Sequence, residues 1–213
     1  MDRHRDVAWR DRVPRDSAET GGGRIKPLGR GAAALAAFVA VAILVALGAF
    51  ASVDRAVLNA VQQPHESWLD VAASVITIFG QSEVVGVIAL GVAVVRLRAG
   101  RRDWWIPLVL LVVVAAEVVL KLAIPQSPPP AELARSVSLL PFLESPTTFS
   151  FPSGHVARVA FMVAALRWQG GLSTAVVLVM ALTRVYLAEH WPSDVLGGWL
   201  LGYGIAALAS ARA

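Results

Sequence analysis

Two histidines in this 213-residue chain stand in contexts that suit phosphate chemistry. His155 directly follows Pro152-Ser153-Gly154 at the start of an apolar run, and His190 lies four residues before Asp194. A carboxylate one helical turn beyond an imidazole can accept a hydrogen bond from one ring nitrogen, which leaves the other nitrogen unprotonated. The spacing therefore predicts His190 as a nucleophile that Asp194 orients.

Groups that favour a bound anion accompany these histidines. Ser153 is a suitable N-cap residue, and the free N–H groups of the helical turn that follows form a site for phosphate. Arg184 offers a planar guanidinium that matches phosphate oxygens. Lys121 ends an earlier apolar run, just before a proline-rich connection over residues 124–152 that we expect to lie outside the bilayer.

The elements that position these groups are predicted to be membrane-spanning helices. The chain is 56% hydrophobic, whereas ordinary soluble domains are about 45–50% apolar. It has no cysteine, which excludes disulfides, thiolate metal sites and cysteine nucleophiles. The net charge is +4, but the basic residues cluster in segments that flank apolar runs. This placement is explained better by membrane topology than by nucleic-acid binding.

Apolar runs long enough for a bilayer predict an all-α bundle of six transmembrane helices. The predicted spans are residues 31–53, 68–79 continuing after Gly80 into 83–95, 104–123, 154–166, 172–187 and 195–209. Residues 68–79 are too short to cross alone, so a second interpretation makes them an amphipathic helix at the outer surface. Residues 1–30 are predicted to be a disordered basic tail, and residues 31–213 the domain.

The distribution of lysine and arginine predicts the orientation. These residues concentrate in the tail and in the loop after the second span, which indicates that both termini are cytoplasmic. Six alternating spans then place Lys121, His155 and His190 at the non-cytoplasmic face. The alanine- and arginine-rich composition favours a bacterial plasma membrane.

The motifs resemble those of the type 2 phosphatidic acid phosphatases (PAP2), the lipid phosphate phosphatase and vanadium haloperoxidase superfamily. That family has Lys-x6-Arg-Pro, then Pro-Ser-Gly-His, then Ser-Arg-x5-His-x3-Asp. The second motif is complete here at residues 152–155, and the third is complete except that Thr183 replaces serine. In the first motif Lys121 fits, but Pro128 stands in place of arginine.

The resemblance implies a role for each matching residue. His190 would attack phosphorus to give a phosphohistidine, oriented by Asp194. His155 would protonate the leaving group and then activate a water. No metal or other cofactor is implied. The groups implied to bind the phosphoryl oxygens are Lys121, Ser153, the Gly154 amide and Arg184.

Arg158 is a candidate for the guanidinium that Pro128 removes. It lies three residues after the histidine of the second motif, on nearly the same helix face. The stretch 149–158 also resembles the branch of the family that acts on polyisoprenoid diphosphates. In the alternative, Arg158 pairs with a carboxylate such as Glu189.

Two further features lie inside the predicted spans. Glu117 comes four residues before Lys121, which predicts an ion pair that positions the lysine. Gly197, Gly198 and Gly202 are predicted to permit close helix packing.

The resemblance implies an integral membrane phosphatase that hydrolyses a lipid phosphomonoester or diphosphate. Polyprenyl diphosphate is favoured, followed by phosphatidic acid or phosphatidylglycerol phosphate. The expected partners are this lipid and the bilayer, with no nucleic acid, and the oligomeric state stays open. The alternatives are a lipid headgroup phosphotransferase and, because of Pro128, an inactive lipid-binding protein; the membrane character argues against a haloperoxidase.

Overall fold

A computed structural model describes residues 27–139, 148–168 and 170–212 of the chain. Within these ranges the structure is helical, with no strand. Two short 3₁₀ turns occur at Ile106–Val109 and Ala131–Leu133. The α-helices of the described ranges are α1 (Pro27–Ala46), α2 (Ala51–Val61), α3 (Ser67–Ile78), α4 (Ser82–Arg98), α5 (Leu110–Ala123), α6 (Gly154–Ala165), α7 (Gly171–Tyr186) and α8 (Pro192–Ser210). The predicted tail lies outside the described residues as far as residue 26.

The first apolar run folds as two helices, so the prediction of one helix over residues 31–53 was wrong at its C-terminal end. Helix α1 ends at Ala46, and α2 begins at Ala51 after a turn. Gly48 in that turn has φ +70°, a left-handed conformation that glycine adopts without a steric penalty. An apolar count does not detect such a turn, because the turn itself is apolar.

Two helical stretches, Leu28–Ala46 and Ile106–Ala123, are each long and apolar enough to cross a bilayer. Helices α3 and α4 meet at a 44° bend and together make a third such stretch if they are one broken span. The bend falls at the predicted Gly80 break. The apolar helices α6 and α7 are shorter. Helix α8 has 19 residues but is not among these stretches, so the count of six spans stays a prediction.

Helix α6 lies at the centre of the described bundle, in contact with α4, α5, α7 and α8. Most of its residues are buried, including Ala157 and Phe161. A Cβ on Gly198 or Gly202 of α8 would collide with the α6 backbone carbonyls of Ser153 and Ala157, respectively. The close packing predicted from these two glycines is therefore confirmed, and it fixes α8 against the start of α6.

The far end of α6 is held by a separate ionic cluster. The buried Arg96 guanidinium donates to the Ala165 carbonyl at 2.9 Å and lies 3.6 Å from the Asp103 carboxylate. Arg101 donates two hydrogen bonds of 2.8 Å to the same carboxylate. These bonds, opposed in part by burial, lower the pKa of Asp103 to about 2. This loop therefore joins α4 and α5 to the C-terminal end of α6.

Candidate active site

His190 and Asp194 meet where the chain turns from α7 into α8. Ala188 has φ +53°, and the Glu189 and His190 amides both donate to the Arg184 carbonyl, so the turn closes back on the end of α7. Pro192 occupies the first position of α8, where its fixed φ suits a helix and its missing N–H costs nothing. The chain therefore presents His190 immediately before the first turn of α8.

The Asp194 carboxylate is fully buried and faces this turn. Its Oδ2 accepts the Trp191 N–H at 2.8 Å and lies 3.4 Å from Nδ1 of His190. With Nδ1 as the donor to Asp194, Nε2 carries the lone pair. The predicted orientation of His190 by Asp194 is thus geometrically available.

Ser153 begins α6 with an unused hydroxyl. It is fully buried, and its Oγ finds no hydrogen-bond partner among the described residues. Its backbone N–H donates to the Asp194 carbonyl at 3.0 Å, which ties the start of α6 to the first turn of α8. The first N–H groups of a helix have no partner within it. The hydroxyl and these amides are therefore polar groups without a described acceptor at the start of α6, next to the first turn of α8.

Two buried cations approach the site from other helices. Arg184, in the last turn of α7, pairs with Glu189 through Nη2, while its Nε is without a partner in the described part of the chain. Lys121, in the last turn of α5, donates to the Phe149 carbonyl at 2.9 Å. Among the described residues, Lys121 also reaches the Ser150 carbonyl at 3.5 Å, which leaves one of its three donors unused, and Arg184 keeps its Nε unused.

The buried carboxylate of Glu117 pairs with Arg158 rather than with Lys121, so the predicted pairing of Glu117 with Lys121 was wrong. Arg158 Nη1 lies 2.5 Å from Glu117 Oε2, and Arg158 Nε donates to the Gly80 carbonyl at 2.9 Å. Arg158 thus pairs with a carboxylate, as the second interpretation proposed, although Glu189 is taken by Arg184. A phosphate-binding role for Arg158 stays a prediction.

The two histidines and the cations form one electrostatic cluster. His155 lies close enough to Arg184, Arg158, His190 and Lys121 for their charges to act on it. A Cβ on Gly80 would approach the His155 ring to 2.9 Å, so the break between α3 and α4 covers one side of this histidine. The sequence-predicted residues of all three motifs therefore converge at one end of the bundle.

The environment of His190 favours its neutral form. Burial and, after it, the charge of Arg184 lower the pKa of His190 well below its ordinary value. Lys121 and Arg158 act in the same direction. At neutral pH the ring therefore holds no second proton, which a nucleophilic nitrogen requires.

A cavity of about 330 Å³ lies next to this cluster, between the end of α1, the start of α2 and the end of α5. Its polar lining residues include Asp54, Arg55, Gln126 and Trp191, whereas α1 and α5 supply apolar residues. The Trp191 indole donates to the Ser127 carbonyl at 2.8 Å. The segment with Pro128 thus reaches the start of α8 through its backbone and brings no cation there.

Asp54 was missed by sequence reasoning. It is buried and accepts two hydrogen bonds from Ser193, directly before Asp194. The sequence shows Asp54 only as an acidic residue at the end of an apolar run. Because Asp54 and Ser193 are 139 positions apart, no local pattern predicts that they are in contact.

Two histidines, an aspartate and several cations thus meet at the ends of packed membrane helices, and a known family of membrane proteins matches this part of the chain. The PAP2 superfamily matches residues 102–212, just over half of the 213-residue chain. The chain belongs to the PAP2 superfamily.

Several proteins of stated activity are similar to parts of the chain. An undecaprenyl-diphosphatase of Sulfolobus acidocaldarius is 36% identical over 69 residues, which are 30% of this chain and 34% of that protein. A decaprenylphosphoryl-5-phosphoribose phosphatase of Mycobacterium tuberculosis is 30% identical over 132 residues, which are 61% of this chain and 72% of that protein. The match to the Sulfolobus protein thus spans about a third of its length.

One solved structure has the same fold. The transmembrane PAP2-type phosphatidylglycerolphosphate phosphatase of Bacillus subtilis superposes with a TM-score of 0.71 at 22% identity, covering 86% of this chain and 95% of that one. The chain is therefore an all-helical, membrane-embedded protein of the PAP2 fold.

Proposed function

We propose that this protein is a membrane lipid phosphatase that acts through a phosphohistidine at His190. The observation that carries the proposal is the buried pairing of His190 with Asp194 beside donors that have no partner in the described chain, Ser153 Oγ and Arg184 Nε. Unpaired buried donors are costly, and a phosphate would satisfy both.

In the first step, Nε2 of His190 attacks phosphorus and the bond from phosphorus to the leaving oxygen breaks. His155 gives its proton to that oxygen, and Asp194 accepts the Nδ1 hydrogen bond that steadies the His190 ring. The groups proposed to hold the phosphoryl oxygens are Lys121, Ser153, the Gly154 amide and Arg184. These groups stabilise the charge that spreads over the oxygens in the transition state, so the step needs no metal ion.

In the second step, a water attacks the phosphohistidine. His155 takes a proton from the water, the bond between phosphorus and Nε2 breaks, and inorganic phosphate leaves. His190 returns to its neutral form, and the proton gained by His155 is available for the next substrate. In this scheme Arg158, held by Glu117 and Gly80, contributes positive charge beside His155.

The proposed substrate is a polyprenyl diphosphate, followed by phosphatidic acid or phosphatidylglycerol phosphate. Two relatives named for polyprenyl lipids support this order. The cavity beside Trp191 is lined by both polar and apolar residues, which suits the part of a lipid that joins headgroup to chain.

We further propose the orientation of the protein. Six spans with both termini in the cytoplasm put the site at the non-cytoplasmic face of the plasma membrane. The cluster of Arg96, Arg98, Arg101 and Arg102 at the opposite end from the histidines supports this orientation. The basic tail, residues 1–30, would lie on the same side as these arginines.

Phosphate release from a panel of detergent-solubilised lipid phosphates and diphosphates tests the function. We expect wild-type turnover to be highest on polyprenyl diphosphate, and His190→Ala to abolish it. His65→Ala is the matched control, because His65 is exposed and contacts Arg135 outside the site. Full turnover by His190→Ala would refute the mechanism.

Two additions to this assay separate the alternatives. EDTA should leave turnover unchanged, whereas complete loss restored by magnesium would contradict a site built from cationic side chains. Release that depends strictly on an added alcohol acceptor would identify a headgroup transferase. Binding of the lipids with no turnover on any of them would identify an inactive lipid-binding protein.

A further inference from the structure

The buried carboxylate of Asp54 on α2 accepts two hydrogen bonds from the first turn of α8. Its Oδ1 accepts the Ser193 backbone N–H at 2.8 Å, and its Oδ2 accepts the Ser193 hydroxyl at 2.6 Å. Asp54 and Ser193 are almost completely shielded from solvent. Such paired, buried, charge-assisted bonds are stronger than ordinary hydrogen bonds and leave little freedom in the turn.

The start of α8 needs a partner of this kind. Its first N–H groups have no acceptor within the helix, and Trp191 at the N-cap position has no side-chain oxygen to serve them. Asp194 accepts the Trp191 N–H, and Asp54 accepts the Ser193 N–H. A negative charge is also stabilised at a helix N-terminus. Asp54 thus serves as the cap of α8 from another helix.

The first turn of α8 is held from two sides. On one side, the Ser153 N–H of α6 donates to the Asp194 carbonyl at 3.0 Å. On the other side, Asp54 of α2 holds the neighbouring residue, Ser193. The distance between the nucleophile, His190, and the anion site at Ser153 therefore depends on both attachments.

We propose that Asp54 is a positioning residue for the phosphatase reaction, acting through Ser193 to fix His190 and Asp194 relative to the phosphate. This inference rests on the proposed function. Asp54 lies on α2, before the part of the chain matched by the PAP2 superfamily, residues 102–212. In this protein an element outside that match thus completes the site.

Steady-state kinetics in mixed micelles test the role. Asp54→Ala removes both bonds, and we expect kcat to fall by roughly tenfold or more, because a small displacement of a reacting group is costly. KM should change less than kcat, because the phosphate-binding groups are untouched and only the Asp54 part of the cavity beside Trp191 is altered. Asp54→Asn should restore most of kcat, because its amide can accept from the backbone N–H and donate to the hydroxyl oxygen.

A double-mutant cycle assigns the effect to Ser193. Ser193→Ala removes the hydroxyl bond alone, and we expect roughly a threefold loss of kcat. In the Asp54→Ala background the same change should add nothing, because the partner is already gone. Turnover is divided by the amount of protein that elutes from size-exclusion chromatography as a single folded species. A loss of folded protein is therefore not counted as a loss of kcat.

Asp70→Asn is the matched control for an acidic residue outside α8. Asp70 accepts a hydrogen bond from the Tyr186 hydroxyl at 2.6 Å, and the variant should keep wild-type kcat.

The proposal is overturned if Asp54→Ala keeps wild-type kcat, or if Asp54→Asn is as impaired as Asp54→Ala. If Asp54→Ala does not fold, an unchanged kcat in Ser193→Ala overturns it. Turnover by His190→Ala would instead refute the proposed function.

Discussion

At the scale of the residue, the proposed site combines a histidine kept neutral with cations that have unused donors. His190 is buried against Arg184 and Lys121, whose charges oppose a second proton on the ring. The same cations would bind the phosphate. In the proposed mechanism, the positive charge that binds the phosphate thus also keeps the attacking nitrogen of His190 unprotonated.

His190 should therefore titrate below the ordinary histidine value of about 6.5. Because its pKa is lowered, the ring stays neutral and competent as pH falls through the range in which an exposed histidine becomes charged. NMR of histidine-labelled protein can measure this, since the chain has 4 histidines. The signal lost in His190→Ala identifies the residue. A midpoint at or above about 6.5 would contradict the electrostatic account.

Residue types and spacing were sufficient to predict which residues meet at one end of the bundle, because each motif lies within one short stretch of chain. Ion-pair partners were not predictable in this way. The i, i+4 spacing from Glu117 to Lys121 suggested a pair, but α6 presents Arg158 to the same carboxylate. Which helix faces which carboxylate depends on helix rotation, and one sequence does not contain that information locally.

At the scale of the element, the glycine at residue 154 lets the start of α6 pack directly against the Glu117 side chain of α5. A Cβ there would collide with the Glu117 carboxylate. That carboxylate holds Arg158, which in turn holds the Gly80 carbonyl between α3 and α4. One missing side chain thus permits contacts among four helices.

Gly154→Ala should therefore displace Glu117, lower the melting temperature in detergent and lower phosphate release at least tenfold, roughly the cost of a small misplacement of reacting groups. Gly86→Ala is the matched control, because a Cβ at Gly86 of α4 meets nothing within 4 Å. Alanine is favoured over glycine inside a helix by about 1 kcal/mol, so the control should be neutral or slightly stabilising. Equal effects of the two substitutions on activity would contradict the packing argument.

The helices themselves were largely predictable from apolar runs. The predicted limits of α3, α4, α6, α7 and α8 lie within about three residues of those observed. The failure at α1 and α2 has a physical cause, since Gly48 turns the chain inside an apolar stretch. Because α2 was not recognised as a separate helix, the packing of Asp54 against α8 was not predicted either.

At the scale of the whole molecule, the described bundle has two polar ends with different chemistry. One end gathers the histidines with Lys121 and Arg184. The other end carries Arg96, Arg101 and Asp103 around the C-terminus of α6. Lysine and arginine near span ends favour the cytoplasmic side, so this second end is the expected cytoplasmic one.

Single introduced cysteines can test this orientation cleanly, because the chain has no cysteine of its own. Gln63→Cys marks the end with the histidines, and Arg102→Cys marks the opposite end; both positions are exposed and outside the helices. In intact cells a membrane-impermeant maleimide should label position 63 and leave position 102 unlabelled until the membrane is permeabilised. Both variants should keep wild-type phosphate release, which establishes that the labelled protein is folded. If position 102 alone is labelled in intact cells, the orientation is the opposite of the one proposed, and the site faces the cytoplasm.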